Sequence, residues 1–184
     1  MKSVRKVTGS FGERFVELFG GKVQIKDVEN VFEELAEIDE RNGTISQVFD
    51  ASVIAGRNHL LHSVELALEG MERDRSFANS PQIELTCWVS GLRQIRKALD
   101  KAGIDEKTER VAVVILGVDA EEVEDSRGEI FDILSLDRDD SMLEVREWKL
   151  DSLKKSLEIE ENQVEVSLLE DIVLERIALL NLEA

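Results

Sequence analysis

Apolar positions recur along this chain with two periods, and the switches between them outline a fold. From Asp27 to Arg41, residues Val28, Val31, Phe32, Leu35 and Ile38 repeat at helical spacing, the 3.6-residue period that lines one helix face. Asp27 is a good N-cap, because its carboxylate accepts from the orphan N–H groups of a first turn, and Gly43 supplies the stop. Residues 45–49 are short and β-branched and predict a strand; residues 51–68 turn helical, with a break near Gly56. Residues 111–116 form a continuous apolar run, the mark of a strand covered on both faces. Further helices are predicted over 92–102, ended by Gly103, over 121–134 despite Gly128, over 151–157 and over 168–182. Residues 83–89 read as a strand, and 142–148 are a further strand candidate. Gly20-Gly21, between the short runs 15–19 and 22–25, predicts a hairpin turn, since glycine tolerates positive φ. The sum is one α+β domain over residues 1–184, with a mixed and mostly antiparallel sheet flanked by helices and an apolar helix at the C-terminal end.

Two segments stand out. In the first, residues 90–103, Leu92, Ile95, Leu99 and Ala102 gather on an arc of roughly 80° at 100° per residue. Arg93, Arg96, Lys97 and Lys101 spread over roughly 140° on the opposite side. This pattern predicts an apolar stripe toward the core and cations toward solvent. The second segment, residues 168–182, is apolar on all sides rather than along one stripe. Such a helix must be buried all round, inside its own domain or against a partner; left bare it makes a large apolar patch. Its place at the C-terminal end favours a partner.

Charge sharpens the first segment. The chain carries a net charge of −17, which argues against general binding to phosphate backbones. Between Thr86 and Ile104 the balance reverses, with four basic residues against one acidic. A positive helix on so acidic a chain is a candidate anion or RNA-backbone site, and a solvated face paired with carboxylates is the plainer alternative. The length of 184 residues suits one domain. A single cysteine, Cys87, makes no internal disulfide and points to a reducing compartment. The basic start is followed by no apolar run of signal-peptide length and no stretch reaches a membrane span, so a cytoplasmic location is expected.

Catalytic motifs are not found. His59 and His62 stand i, i+3, but a zinc site needs about two further ligands and no recognisable set lies nearby. Cys87, between Thr86 and Trp88, reads as a buried small apolar residue rather than a nucleophile. Asp137, Asp139 and Asp140 fail as a calcium loop, because Met142 and Trp148 occupy the positions that require glycine and glutamate. The glycines at 9, 12, 20 and 21 lack P-loop spacing, and no G-x-S-x-G elbow occurs. The expectation is a non-catalytic subunit that works by binding partners, with no cofactor and no metal. A homo-oligomeric scaffold using the C-terminal helix, and a small enzyme built on His59, His62 or a carboxylate pair, remain the alternatives.

Three blocks then carry a family resemblance. They are Val48-Phe49-Asp50-Ala51 through Ile54-Ala55-Gly56-Arg57-Asn58-His59-Leu60 to Ala67-Leu68, then Ser90-Gly91-Leu92-Arg93-Gln94-Ile95 through Ala98-Leu99 to Gly103, and then Leu169 to Leu180. In this order they resemble the kinase-binding subunit family of the KEOPS complex (Cgi-one-two-one, TPRKB in animals), in its archaeal type. The resemblance runs from about Val16 to Leu182, with a poorly matching stretch over 119–157 from which nothing is carried over. It implies a subunit of the complex that places threonylcarbamoyl on the adenosine beside the anticodon of tRNAs reading ANN codons. In that family the chemistry belongs to a metal-dependent transferase, which binds a small RIO-like kinase acting as an ATPase. The subunit resembled here binds the kinase and helps recruit tRNA, including its single-stranded 3′ CCA end. The resemblance implies that the C-terminal helix docks on the kinase through Ile172, Val173, Ile177 and Leu180. It likewise implies that Arg57, Asn58, Arg93, Arg96, Lys97 and Lys101 hold tRNA phosphates, a role that suits the bidentate fork of arginine.

Overall fold

The computed structural model describes residues 4–159 and 165–182. Its centre is a sheet of β1 (Arg5–Gly9), β2 (Gly12–Lys22), β3 (Ile45–Asp50) and β4 (Arg110–Gly117), in the order β1-β2-β4-β3. The two-residue β5 (Asp137–Arg138) pairs with the end of β2, and every pairing among the described residues is antiparallel. The apolar run of β4 is buried on both faces, as its composition predicts. Alternation then sorts the side chains. Val111, Val113 and Ile115 join Phe19 and Val48 on one face. Ala112, Val114 and Leu116 join Val16, Leu18 and Phe49 on the other.

Helices cover both faces. α1 (Val28–Asn42) and α5 (Ala120–Leu134) lay Val31, Leu35, Ile38, Val123, Ile130 and Leu134 on the first. Glu17, fully buried on that face, is held by Arg127 of α5 through both carboxylate oxygens at 3.1 and 3.2 Å. The second face is covered by α2 (Arg57–Glu72), α3 (Pro81–Ser90), α6 (Leu150–Ser156) and α7 (Leu169–Leu182), and the short α4 (Ile95–Ala102) packs beside α3. The α1 signals act as read: Asp27 accepts from Asn30 N at 3.1 Å, and Gly43 takes a left-handed φ of 68°. The predicted break at Gly56 separates a 3-10 turn (Ala51–Val53) from α2.

Three expectations are corrected. Gly20-Gly21 is no turn, for β2 runs straight through it, and the hairpin is instead at Gly9–Gly12, where Gly12 has φ +81°. The glycines are there for close approach. A Cβ on Gly20 would lie 2.6 Å from Met142 Cβ, and one on Gly21 would lie 2.5 Å from the Asp137 carbonyl oxygen. Residues 83–89 are helix, not strand. Ser80 caps α3, Pro81 opens it and Gly91 closes it with φ 68°. Because α3 is buried on all sides, no stripe marks its period. Its buried Glu84 is satisfied by Phe77 N, Ala78 N and Trp88 Nε1. Residues 142–148 form no strand but link the end of one 3-10 turn, Asp140–Leu143, to the start of another, Glu147–Lys149. These are fixed by fully buried Lys149, whose Nζ donates to Met142 O at 2.6 Å and Ile54 O at 2.9 Å.

The rim of the sheet at β3 is closed by side chains. Ser46 N donates to Asp39 Oδ2 at 2.8 Å, and Val48 N to the Gln47 side-chain oxygen at 3.3 Å.

Gly21→Ala is expected to lower stability by about 1–3 kcal/mol, the usual cost of overpacking, because the Asp137 backbone has to move. Urea denaturation checks this, and an unchanged midpoint would show that β5 yields freely.

Candidate functional site

Both segments singled out from the sequence meet in one place. α4 is rotated from its predicted seating. Ala98 and Ala102 face the core, while Ile95 and Leu99 are each 39% exposed. The small alanines allow α4 to lie close to α3, and that pulls Lys101 inward. Its Nζ donates to Ser90 O at 2.8 Å, satisfying a carbonyl at the C-terminal end of α3. Burial lowers the Lys101 pKa, and nearby Arg176 lowers it further. Arg96 and Lys97 stay exposed. Arg93 stacks 5.4 Å over the Phe77 ring and reaches Leu180 O at 3.4 Å, so it holds down the end of α7.

Between α4 and α7 lies a cavity of about 380 Å³, with Lys97, Lys101 and Arg176 in its walls beside His59, Val173 and Ile177. Arg176 also donates to Leu157 O. His59 is a structural group. Its Nδ1 accepts from Ala55 N at 3.1 Å and its Nε2 sits 2.8 Å from Val89 O, which assigns the proton to Nε2. Burial pushes its pKa down to about 4, and Lys101 and Lys149 add to the effect. The imidazole is therefore neutral at pH 7, as a cavity floor among cations requires. His62, on the helix surface, faces Glu65 instead. No group of three or more His, Cys, Asp or Glu suited to a metal occurs among the described residues. Cys87 is buried, and burial raises its thiol to about 11.

The other two expected RNA residues lie elsewhere. Arg57 donates to Leu18 O at 3.3 Å and pairs with Asp140 at 3.4 Å, toward β2. Asn58 lines a separate groove with Leu61, His62, Leu174 and Ala178. The α2 N-terminus between them is already occupied. Glu170 of α7 accepts from Asn58 N at 3.0 Å and His59 N at 3.3 Å, taking the position an anion takes at a helix start. Gly56 permits this, since a Cβ there would collide with that carboxylate.

α7 divides its apolar residues between two tasks. Leu169, Val173 and Ile177 are buried in the protein's own core, and Ile172 and Leu180 pack partly against it. Val173 and Ile177, expected at a partner surface, thus hold the helix to its own domain. Leu174, Ala178 and Leu182 line up at i, i+4 and i+8 on the opposite side. Leu174 is half-buried, Ala178 exposed and Leu182 83% exposed, and the first two border the groove with Leu61. Glu170 and Arg176 were missed from the sequence. Gly56 was the available signal, because a helix start without a capping side chain must be capped from elsewhere.

The chain is an antiparallel α+β module that presents an apolar helical ridge beside a cation-lined cavity. The chain belongs to the CGI-121 kinase binding protein family, whose family model matches residues 25–181. That match covers most of the chain and bears out the resemblance read from the three blocks. None of the curated proteins compared with the chain matches it. No helix among the described residues is long and apolar enough to cross a membrane.

The depressed His59 pKa sets a pH dependence. Below about pH 6.5 the unfolded chain takes up a proton that the folded chain refuses, so stability falls as pH drops toward 4. Between pH 6.5 and 5 the wild type should lose about 1–2 kcal/mol more than His59→Gln. Denaturation curves at several pH values decide this, and parallel losses in the two proteins would show that His59 titrates normally.

Proposed function

We propose that this chain is the non-catalytic, kinase-binding subunit of a cytoplasmic KEOPS complex, serving threonylcarbamoyladenosine synthesis beside the anticodon. In this reading α7 docks the small RIO-like kinase, and the protein reaches the transferase through the complex rather than directly. The observation that carries it is the exposed Ala178 and Leu182, in line with half-buried Leu174, on a chain of a kinase-binding family. Ile172 and Leu180 flank the buried side of the same helix and complete the contact where they emerge, while Val173 and Ile177 support it from below.

tRNA recruitment is the second half of the proposal. The cavity beside α4 offers Lys97, Lys101 and Arg176 to phosphates of an unpaired 3′ CCA end, with Arg96 exposed on the same helix. Exposed Ile95 and Leu99 give base faces an apolar surface to lie against. Arg93, engaged with Phe77 and the Leu180 carbonyl, acts at the margin of this site, whereas Arg57 and Asn58 lie toward β2 and in the separate groove and take no part in it. Backbone cations with apolar or aromatic contacts are how single strands are held without base-edge readout.

Calorimetric titration into the kinase subunit of the same organism tests the docking. Wild type is expected to bind 1:1, and Ala178→Glu and Leu182→Glu to bind at least tenfold more weakly with unchanged circular dichroism. Ile177→Glu instead buries a carboxylate and should lower the melting temperature. Absence of wild-type binding would remove the proposal, and a stable dimer by light scattering would replace it with self-association through α7.

A further inference from the structure

The groove between α2 and α7 has a volume of about 510 Å³. Leu61 of α2 and Leu174 of α7, both half-buried, form an apolar floor together with exposed Ala178. Ala178 stands one turn from Leu174 and one turn from Leu182 on the same side of α7, and its small side chain leaves the space between them open. The two helices are held at this spacing by Glu170, whose carboxylate accepts from Asn58 N and His59 N at the start of α2.

Carboxylates rim the floor. Glu65, one turn after Leu61, and Glu175, next to Leu174, both line the groove and are both exposed. Exposed Asp171 lies one turn before Glu175 on α7. Arg5 of β1 is the one lysine or arginine in the lining among the described residues. Glu65 stands 4.0 Å from His62 Nδ1, and no lysine or arginine forms an ion pair with Glu65, Asp171 or Glu175 among the described residues.

This rim selects among occupants. Three carboxylates repel RNA phosphates and anionic lipid headgroups. A symmetric dimer through the groove sets one patch against itself, so that Glu65, Asp171 and Glu175 meet their own copies. A protein surface whose apolar side chain is flanked by cations meets neither penalty. The chain belongs to a kinase-binding family, and the groove is continuous with the exposed side of α7 through Ala178.

We propose that the groove admits a large apolar side chain of the kinase, and that lysines or arginines flanking that side chain pair with Glu65, Asp171 and Glu175. This rests on the docking reading above and specifies the chemistry of the surface that the kinase brings. The apolar insertion supplies affinity, while the rim speeds encounter and fixes the register of the two proteins.

The test measures association and dissociation rates of the full chain with the kinase subunit of the same organism, from about 50 to about 500 mM salt. Wild-type association should slow several-fold over that range. Glu65→Lys with Glu175→Lys should weaken binding about tenfold and remove most of the salt dependence. Glu33→Lys with Glu37→Lys changes the net charge equally, but on α1, which covers the opposite face of the sheet, and should alter affinity less than about twofold. Ala178→Trp fills the groove and should raise the dissociation rate about tenfold. Every residue substituted is exposed, and circular dichroism controls for folding. If wild type binds and Leu182→Glu blocks it, while the two glutamate pairs act alike or Ala178→Trp binds normally, this contact is wrong and docking on α7 stands. If wild type does not bind the kinase, both are overturned.

Discussion

The way α7 is held down sets the geometry of the apolar ridge and the basic cavity described above. Leu169, Val173 and Ile177 bury against the sheet-facing helices, each contributing about 1.5–3 kcal/mol of transfer free energy. Polar contacts then fix its register. Glu170 caps the start of α2, Arg176 reaches Leu157 O, and Arg93 reaches the Leu180 carbonyl. With its inner side so anchored, the helix becomes a wall of the basic cavity and points Leu174, Ala178 and Leu182 outward. A change at Gly56 therefore acts on both surfaces, although Gly56 belongs to neither.

Charge is arranged against the average of the molecule. A net of −17 keeps the bulk of the surface repulsive toward nucleic acid. Cations collect where the backbone leaves carbonyl oxygens to satisfy. Lys101 answers the end of α3, and Lys149 answers Ile54 and Met142. Lys149 shows what such a position costs, since burial lowers its pKa to about 8. Any RNA contact on this protein is confined to such local reversals of sign.

Helices with one wet face and the doubly buried strand β4 were legible in the sequence, and the helix buried on all sides, α3, was not. α1 declared its period, cap and stop, and β4 declared its double burial through an unbroken apolar run. α3 has no stripe, so its Val and Thr content resembled a strand, and only Ser80-Pro81 and Gly91 carried the helical signal. Gly20-Gly21 misled because two causes of glycine, a turn and a close approach, look alike until the neighbouring chain is known. Within the site, the cations of α4 were found but its seating was not. Wheel geometry favours large apolar residues inward, whereas the real contact uses Ala98 and Ala102 so that α3 can come near. On α7 the apolar residues were identified without their division into inner and outer sides, which depends on where α2 lies.

The closed rim at β3 has a consequence for how this protein can associate. Strand edges normally recruit other strands through a row of free N–H and C=O groups. Here Asp39 and the Gln47 side chain occupy the donors of Ser46 and Val48, mimicking a neighbouring strand without extending the sheet. At this border the donors of Ser46 and Val48 are not free to template the growth of another strand. On the β3 side of the sheet, contacts are left to side chains, which, unlike a bare backbone ladder, discriminate between one partner and another.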